Sequence, residues 1–228
     1  MLFSDEFRRH IYEAVDSTCH TLTQATNSCD SMKLGLTGGI GCGKSTALAY
    51  LQDLGWHPLQ TDALAKGLLD TEPQVKTAIA QQWPQVLNSD TIIDRSVLAA
   101  IVFSDADSLR WLEGLLHPIV RRHWQEWLNR HTGQPCAVEI PLLFEKQLQD
   151  EFDATLCIAA SDTTVYSRMQ ARGFSADQVA ARADRQWPLQ KKCEAADFVI
   201  WNDGEEAFLK AQLYSLDQQL KASLPRNR

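Results

Sequence analysis

Lys33-Leu34-Gly35-Leu36-Thr37-Gly38-Gly39-Ile40-Gly41-Cys42-Gly43-Lys44-Ser45-Thr46 carries the strongest signal in the chain. Residues 33–36 form a short apolar run of strand character, and 44–54 carry helical patterning. Between them, residues 38–46 fit the spacing GxxxxGK[ST], in a strand-to-helix context. Glycine lets the backbone curl so that successive N–H groups point inward. The start of the following helix adds partial positive charge at the same spot. The pattern therefore predicts a phosphate cradle built by Gly39, Ile40, Gly41, Cys42, Gly43, Lys44, Ser45 and Thr46. Lys44 is expected to reach the outer phosphates of a nucleotide, and the Ser45 hydroxyl to face Mg²⁺. That ion keeps several waters, so one protein hydroxyl is enough to expect. A glycine-rich turn without a ligand is the plainer alternative, and the Lys-Ser pair and the flanking elements argue against it. Cys42 reads as a small side chain; the alternative is a redox thiol, since a helix N-terminus lowers a thiol's pKa.

From Lys33 onward, short apolar strands alternate with helical patterns. Strands are predicted at 56–59, 137–140, 155–159 and 198–200. Helices are predicted over about 96–103, 108–116, 118–130, 162–171, 175–185 and 205–220. Pro118 is expected to break the chain after Leu116, because proline suits a helix's first turn and restricts the residue before it. The alternation predicts a three-layer α/β/α domain around a parallel sheet. Residues 62–131 are mostly helical and are expected to form a subdomain beside it. Phe3, Phe7, Ile11 and Val15 lie at helical spacing, so a short amphipathic helix followed by a linker is expected in 1–31. Those residues are either a natural extension or the product of a misassigned start, with Met32 opening the domain. The domain is expected over 32–222, with 223–228 as a tail.

The length of 228 residues suits one α/β domain carrying a small insertion. A net charge of −7, without a long Lys or Arg run, disfavours a nucleic-acid partner. A cationic pocket for a nucleotide needs only a few residues and stays open. No apolar stretch approaches bilayer-spanning length, and the N-terminus lacks the apolar centre of a secretory signal, so no membrane partner is expected. The six cysteines form no CxxC pair, and Cys136 and Cys157 fall in apolar runs read as buried strands. A reduced, cytoplasmic setting follows as the expectation.

From Met32 to about Leu220 the chain resembles the dephospho-CoA kinase family. The loop Leu36–Thr46 matches that family's LTGGIGSGKST except at Cys42. Gln60-Thr61-Asp62-Ala63-Leu64-Ala65 resembles its DADxxA. Asp94-Arg95, Leu112-Glu113, His117-Pro118 and Ile140-Pro141-Leu142-Leu143-Phe144-Glu145 follow in the family's order. Arg168, Arg172, Arg182 and Gln186 fit its lid, expected over about 165–190, and 196–200 with Asn202 fit its closing strand. Gln60, Glu139 and Val165 depart from the usual Asp, Asp and Gln.

The resemblance implies a P-loop kinase that moves the γ-phosphoryl of ATP, with Mg²⁺, onto the ribose 3′-hydroxyl of dephospho-CoA. It implies Asp62, Lys44, Arg168 and Arg172 as catalytic groups. Arg95, His117 and Leu142, with Asp62, are the expected substrate contacts. Asp62 either accepts the hydroxyl proton or orients the oxygen; the structural alternative is a cap on a helix over 63–69. Arg168 and Arg172, four apart, share a helix face and are expected to close over the phosphates, against the alternative of a solvated cationic stripe. For His117 the alternative is packing or helix capping; for 141–144 it is core packing. Two rival functions remain. Another small-molecule P-loop kinase, of the nucleoside-monophosphate or shikimate kind, is disfavoured by PLLFE and His117-Pro118. The other is a nucleotide-binding switch or regulatory module without transferase activity; a GTPase switch would carry a base-selecting NKxD segment, and none is found. Oligomeric state is not readable from the sequence.

Overall fold

The computed structural model describes residues 32–88, 90 and 92–223. The amphipathic helix and linker expected in 1–31, and nearly all of the expected tail, lie outside the described residues.

The chain divides into two units. The first comprises the described residues up to Pro58 together with those from Thr132 onward; the second is Leu59–His131. The elements run β1 (Lys33–Gly38), α1 (Lys44–Asp53), β2 (His57–Gln60), α2 (Thr61–Thr71), α3 (Pro73–Gln82), α4 (Arg95–Ser104), α5 (Ala106–Arg130), β3 (Cys136–Glu139), β4 (Ala154–Ala159), α6 (Asp162–Ala171), α7 (Ala176–Ala183), α8 (Leu189–Ala195), β5 (Phe198–Trp201) and α9 (Glu206–Ser223). The sheet order is β2-β3-β1-β4-β5. The β1–β3, β1–β4 and β4–β5 pairings are all parallel. The chain thus moves to opposite sides of β1, and in such sheets ligands bind beyond the strands' carboxyl ends at this reversal.

Side-chain alternation sorts the strands' two faces. Leu34, Leu36, Leu156 and Ile158 join Leu48 and Leu51 of α1 and Leu209, Leu213 and Leu216 of α9 in the main core. On the opposite face, Cys157, Ala159 and Trp201 pack with Cys193 and Leu189 of α8. These are the two helical layers that an α/β sheet needs to bury both sides.

Three local expectations are corrected. Trp56 does not open a strand: its N–H donates to Leu51 O at 3.0 Å while Gly55 takes φ 93°, closing α1 in a Schellman-type turn. Its ring is then core, 2% exposed, with Nε1 donating to Asp217 Oδ1 at 2.8 Å. Pro118 does not break the chain, because α5 runs unbroken through it. Pro118 and Gly114, whose carbonyl loses its partner, both lie on the exposed side, where that carbonyl is open to solvent. Ile119, Val120, Trp124 and Leu128 bury the other side, and α5 packs against α2, α3 and α4. Finally, α2 begins at Thr61 after an extended Gln60, so Asp62 sits in its first turn and is not its cap. The helix α8 was not foreseen, and α3 lies in the stretch 62–131 expected to be mostly helical.

Candidate active site

Beyond β1 the chain curls through Gly38–Gly43 into α1. Gly38 takes φ 146° and Gly43 φ 94°. A Cβ at Gly38 would lie 2.1 Å from Ile158 O, and one at Gly43 would lie 2.2 Å from Asn202 Nδ2, so only glycine fits either position. Gly43 also stands at the N-cap of α1, which leaves the first N–H groups of that helix pointing at the cradle. Lys44 Nζ donates to the carbonyls of Gly39 (2.9 Å) and Gly38 (3.2 Å), which holds the ammonium at the mouth of the loop. Ser45 and Thr46 are exposed on the first turn of α1.

Two side chains brace the loop, one from the residue after β5 and one from α6. Asn202 Nδ2 donates to Cys42 O at 2.8 Å. Arg168 Nη2 donates to Asn202 O at 2.8 Å, and its Nη1 reaches Cys42 O at 3.5 Å. Arg168 is therefore fastened to the loop's backbone and is not part of a solvated stripe. Arg172 closes α6 and is exposed. Cys42 turns its thiol into the core, at 1% exposure. Burial pushes that thiol up, with Lys44 opposing, so it stays protonated near neutrality. This agrees with a small packing side chain and not with a reactive thiolate.

Glu139 is the residue whose role spacing alone did not indicate. The register Leu36↔Glu139 sets it at the end of β3 beside the strand that feeds the loop. The Ser45 hydroxyl donates to Glu139 Oε2 at 3.5 Å, and Glu139 is 8% exposed. A hydroxyl and a carboxylate side by side form a hard oxygen pair, the donor chemistry that suits Mg²⁺. In the turn after β3, Leu143 and Phe144 are buried core, whereas Pro141 and Leu142 are half-buried. Core packing thus accounts for two of that motif's four apolar residues.

In the helical unit, Asp62 is exposed on the first turn of α2. Arg95 pairs with Asp70 and donates to Lys66 O at 3.1 Å, which ties the start of α4 to α2. Asp94 caps α4 by accepting from the N–H groups of Ser96 and Val97. His117 is half-buried in the middle of α5, so helix capping is not its role.

A parallel sheet with its first strand running into this cradle defines a P-loop nucleotide-binding protein. Comparison with known proteins narrows the class. The chain belongs to the dephospho-CoA kinase family, whose profile matches residues 32–207. Dephospho-CoA kinase of Chlorobaculum tepidum is 35% identical over 195 residues, spanning 82% of this chain and 94% of its own. That of Gloeobacter violaceus is 37% identical over 188 residues, spanning 81% and 91%. A Thermus thermophilus protein of known crystal structure superposes with a TM-score of 0.72 at 35% identity, covering 84% of this chain and 99% of that one. Among the described residues, no helix is long and apolar enough to cross a membrane.

Proposed function

We propose that this kinase transfers the γ-phosphoryl of ATP to the ribose 3′-hydroxyl of dephospho-CoA, giving coenzyme A and ADP. Family membership over residues 32–207 is the observation that carries the proposal. The new O3′–Pγ bond forms as the bond from Pγ to the β-bridging oxygen breaks, and the hydroxyl proton leaves. In this reaction the amides of Gly39–Thr46 and the Lys44 ammonium hold the phosphates. Asp62 orients the 3′-hydroxyl and accepts its proton late, because the loose transition state requires little early deprotonation. Ser45, with Glu139 behind it, would hold Mg²⁺, which supplies charge neutralisation on the phosphates. Arg168 and Arg172 belong to a lid over about 165–190, residues 32–222 form the kinase domain, and 62–131 form the acceptor-binding insertion. Arg95, His117 and Leu142 contact the acceptor. The setting is the cytoplasm, a reading supported by the free thiols of Cys42, Cys136, Cys157 and Cys193.

Acceptor profiling tests the assignment. Purified protein with Mg-ATP is offered dephospho-CoA, shikimate and nucleoside monophosphates in parallel, and ADP is measured. ADP formation dependent on dephospho-CoA, and reduced about 10²–10⁴-fold by Asp62→Asn, is the expected result. ADP release that follows another acceptor would overturn the substrate.

A further inference from the structure

Lys192 on α8 has no exposed surface. A buried ammonium costs several kcal/mol unless its donors are met. Here all three N–H donors are met: by Pro141 O at 2.5 Å, Glu145 Oε1 at 3.0 Å and Gln186 Oε1 at 3.3 Å. Burial still pulls the ammonium below the usual lysine range, with Glu145 opposing and Lys44 adding repulsion. Pro141 O also accepts the Thr37 hydroxyl at 3.3 Å, and Thr37 immediately precedes Gly38 in β1. Glu145 Oε1 accepts a second donor, Trp187 N–H, at 2.6 Å. The Trp187 ring stacks on Phe144 at 6.2 Å. Two residues further on, Leu189 packs on the loop itself, its Cδ1 3.6 Å from where a Gly39 Cβ would stand.

These contacts converge on one short segment, residues 186–189, which leads from the exit of α7 into the first residue of α8. The helix α7 has no buried residue of its own, although Ser175 and Gln178 give it a capping box. An element without a buried side chain takes its position from its two ends. At one end is α6, which Arg168 fastens to Cys42 O and Asn202 O. At the other is the cluster around Lys192. Stability alone is a weak account of that cluster: Glu145 Oε2 is buried without a hydrogen-bond partner, and apolar residues replace buried ion pairs at little cost.

We propose that Lys192 and Glu145 are positioning residues that anchor the exit of α7 to the turn after β3, fixing the second root of the lid beside the phosphate loop. This rests on the kinase reading above for its kinetic consequence, though not for its structural one. Neither residue is assigned contact with the reacting atoms.

The test compares wild type, Lys192→Met and the double variant Lys192→Met/Glu145→Leu. For each, kcat and both KM values are measured, together with the unfolding midpoint and the protection that Mg-ATP alone gives Arg182 and Arg185 against trypsin. The expected result is that Lys192→Met lowers kcat/KM for ATP about 10²-fold while the KM of dephospho-CoA changes less than about twofold. Mg-ATP protection of α7 is lost in both variants. The double variant regains most of the midpoint that the single variant loses, short of full recovery because the Trp187 N–H loses its acceptor, without regaining kcat/KM or protection, which separates positioning from stability even if the single variant folds poorly. A double variant that regains stability, activity and protection together would overturn the proposal and leave the kinase assignment standing. If wild type made no coenzyme A, the assignment would fail, while loss of trypsin protection in the double variant would still establish the anchor.

Discussion

Lys44 is held at the mouth of the phosphate loop by two carbonyls of that loop, so its charge is positioned before any ligand arrives. Preorganisation of this kind concentrates the benefit on developing charge in the transition state. Lys44→Ala is therefore expected to cut kcat about 10²–10³-fold, measured in a coupled ADP assay with circular dichroism unchanged. Asn202 works at one remove, by holding Cys42 O. Asn202→Ala leaves that carbonyl only the longer Arg168 contact. It should raise the KM for ATP several-fold and lower stability by about 1 kcal/mol, read from paired kinetics and urea unfolding. Lys44 and Ser45 were legible because the cradle's residues adjoin in sequence. Asn202 was legible only as part of a resemblance, because its partner lies 160 residues away and a lone Asn has no periodicity to betray it. Glu139 was legible only as a departure within that resemblance and Lys192 was opaque, for the same reason: each acquires meaning from a register or a fold that brings distant segments together.

At the scale of elements, all five strands were legible from apolar runs, with their ends shifted by one to two residues. Helices at β-to-α crossovers were also legible where an apolar stripe repeats. The seven-residue α8 was missed because a piece that short, preceded by Pro188 and carrying Lys191, Lys192 and Glu194, shows no clear period. The opposite error, splitting α5 at Pro118, came from weighing a local rule above tertiary packing. Proline in a helix interior is unfavourable by roughly 3 kcal/mol relative to alanine, and α5 absorbs that cost by burying its other side. Pro118→Ala restores the missing N–H on the exposed side. It is expected to raise stability by about 1–3 kcal/mol, seen as a higher urea midpoint at unchanged m-value.

For the molecule as a whole, the three-layer architecture was legible because β-to-α alternation admits few topologies. Buried thiols also give the fold a pH dependence. Burial raises Cys42 and holds Cys136 at about 11, and Cys157 is raised by its neighbour Cys193, Sγ to Sγ 3.8 Å, and by burial. Unfolded thiols ionise near 9.0, so above that pH the unfolded chain has released protons that the folded chain retains. Stability then falls as pH rises, because the unfolded state binds fewer protons. The thermal midpoint should drop between pH 9 and about 11, and Cys136→Ala should flatten the drop. Where the transferred phosphoryl group ends up decides what reaction this protein carries out. The protein is incubated with Mg²⁺, γ-labelled ATP and dephospho-CoA, and the product is fragmented in a mass spectrometer. Label on the ribose 3′-oxygen of a new coenzyme A, formed about 10²–10³-fold more slowly with Lys44→Ala, is the predicted result. Label that remains in inorganic phosphate, or on any other acceptor atom, would contradict the account.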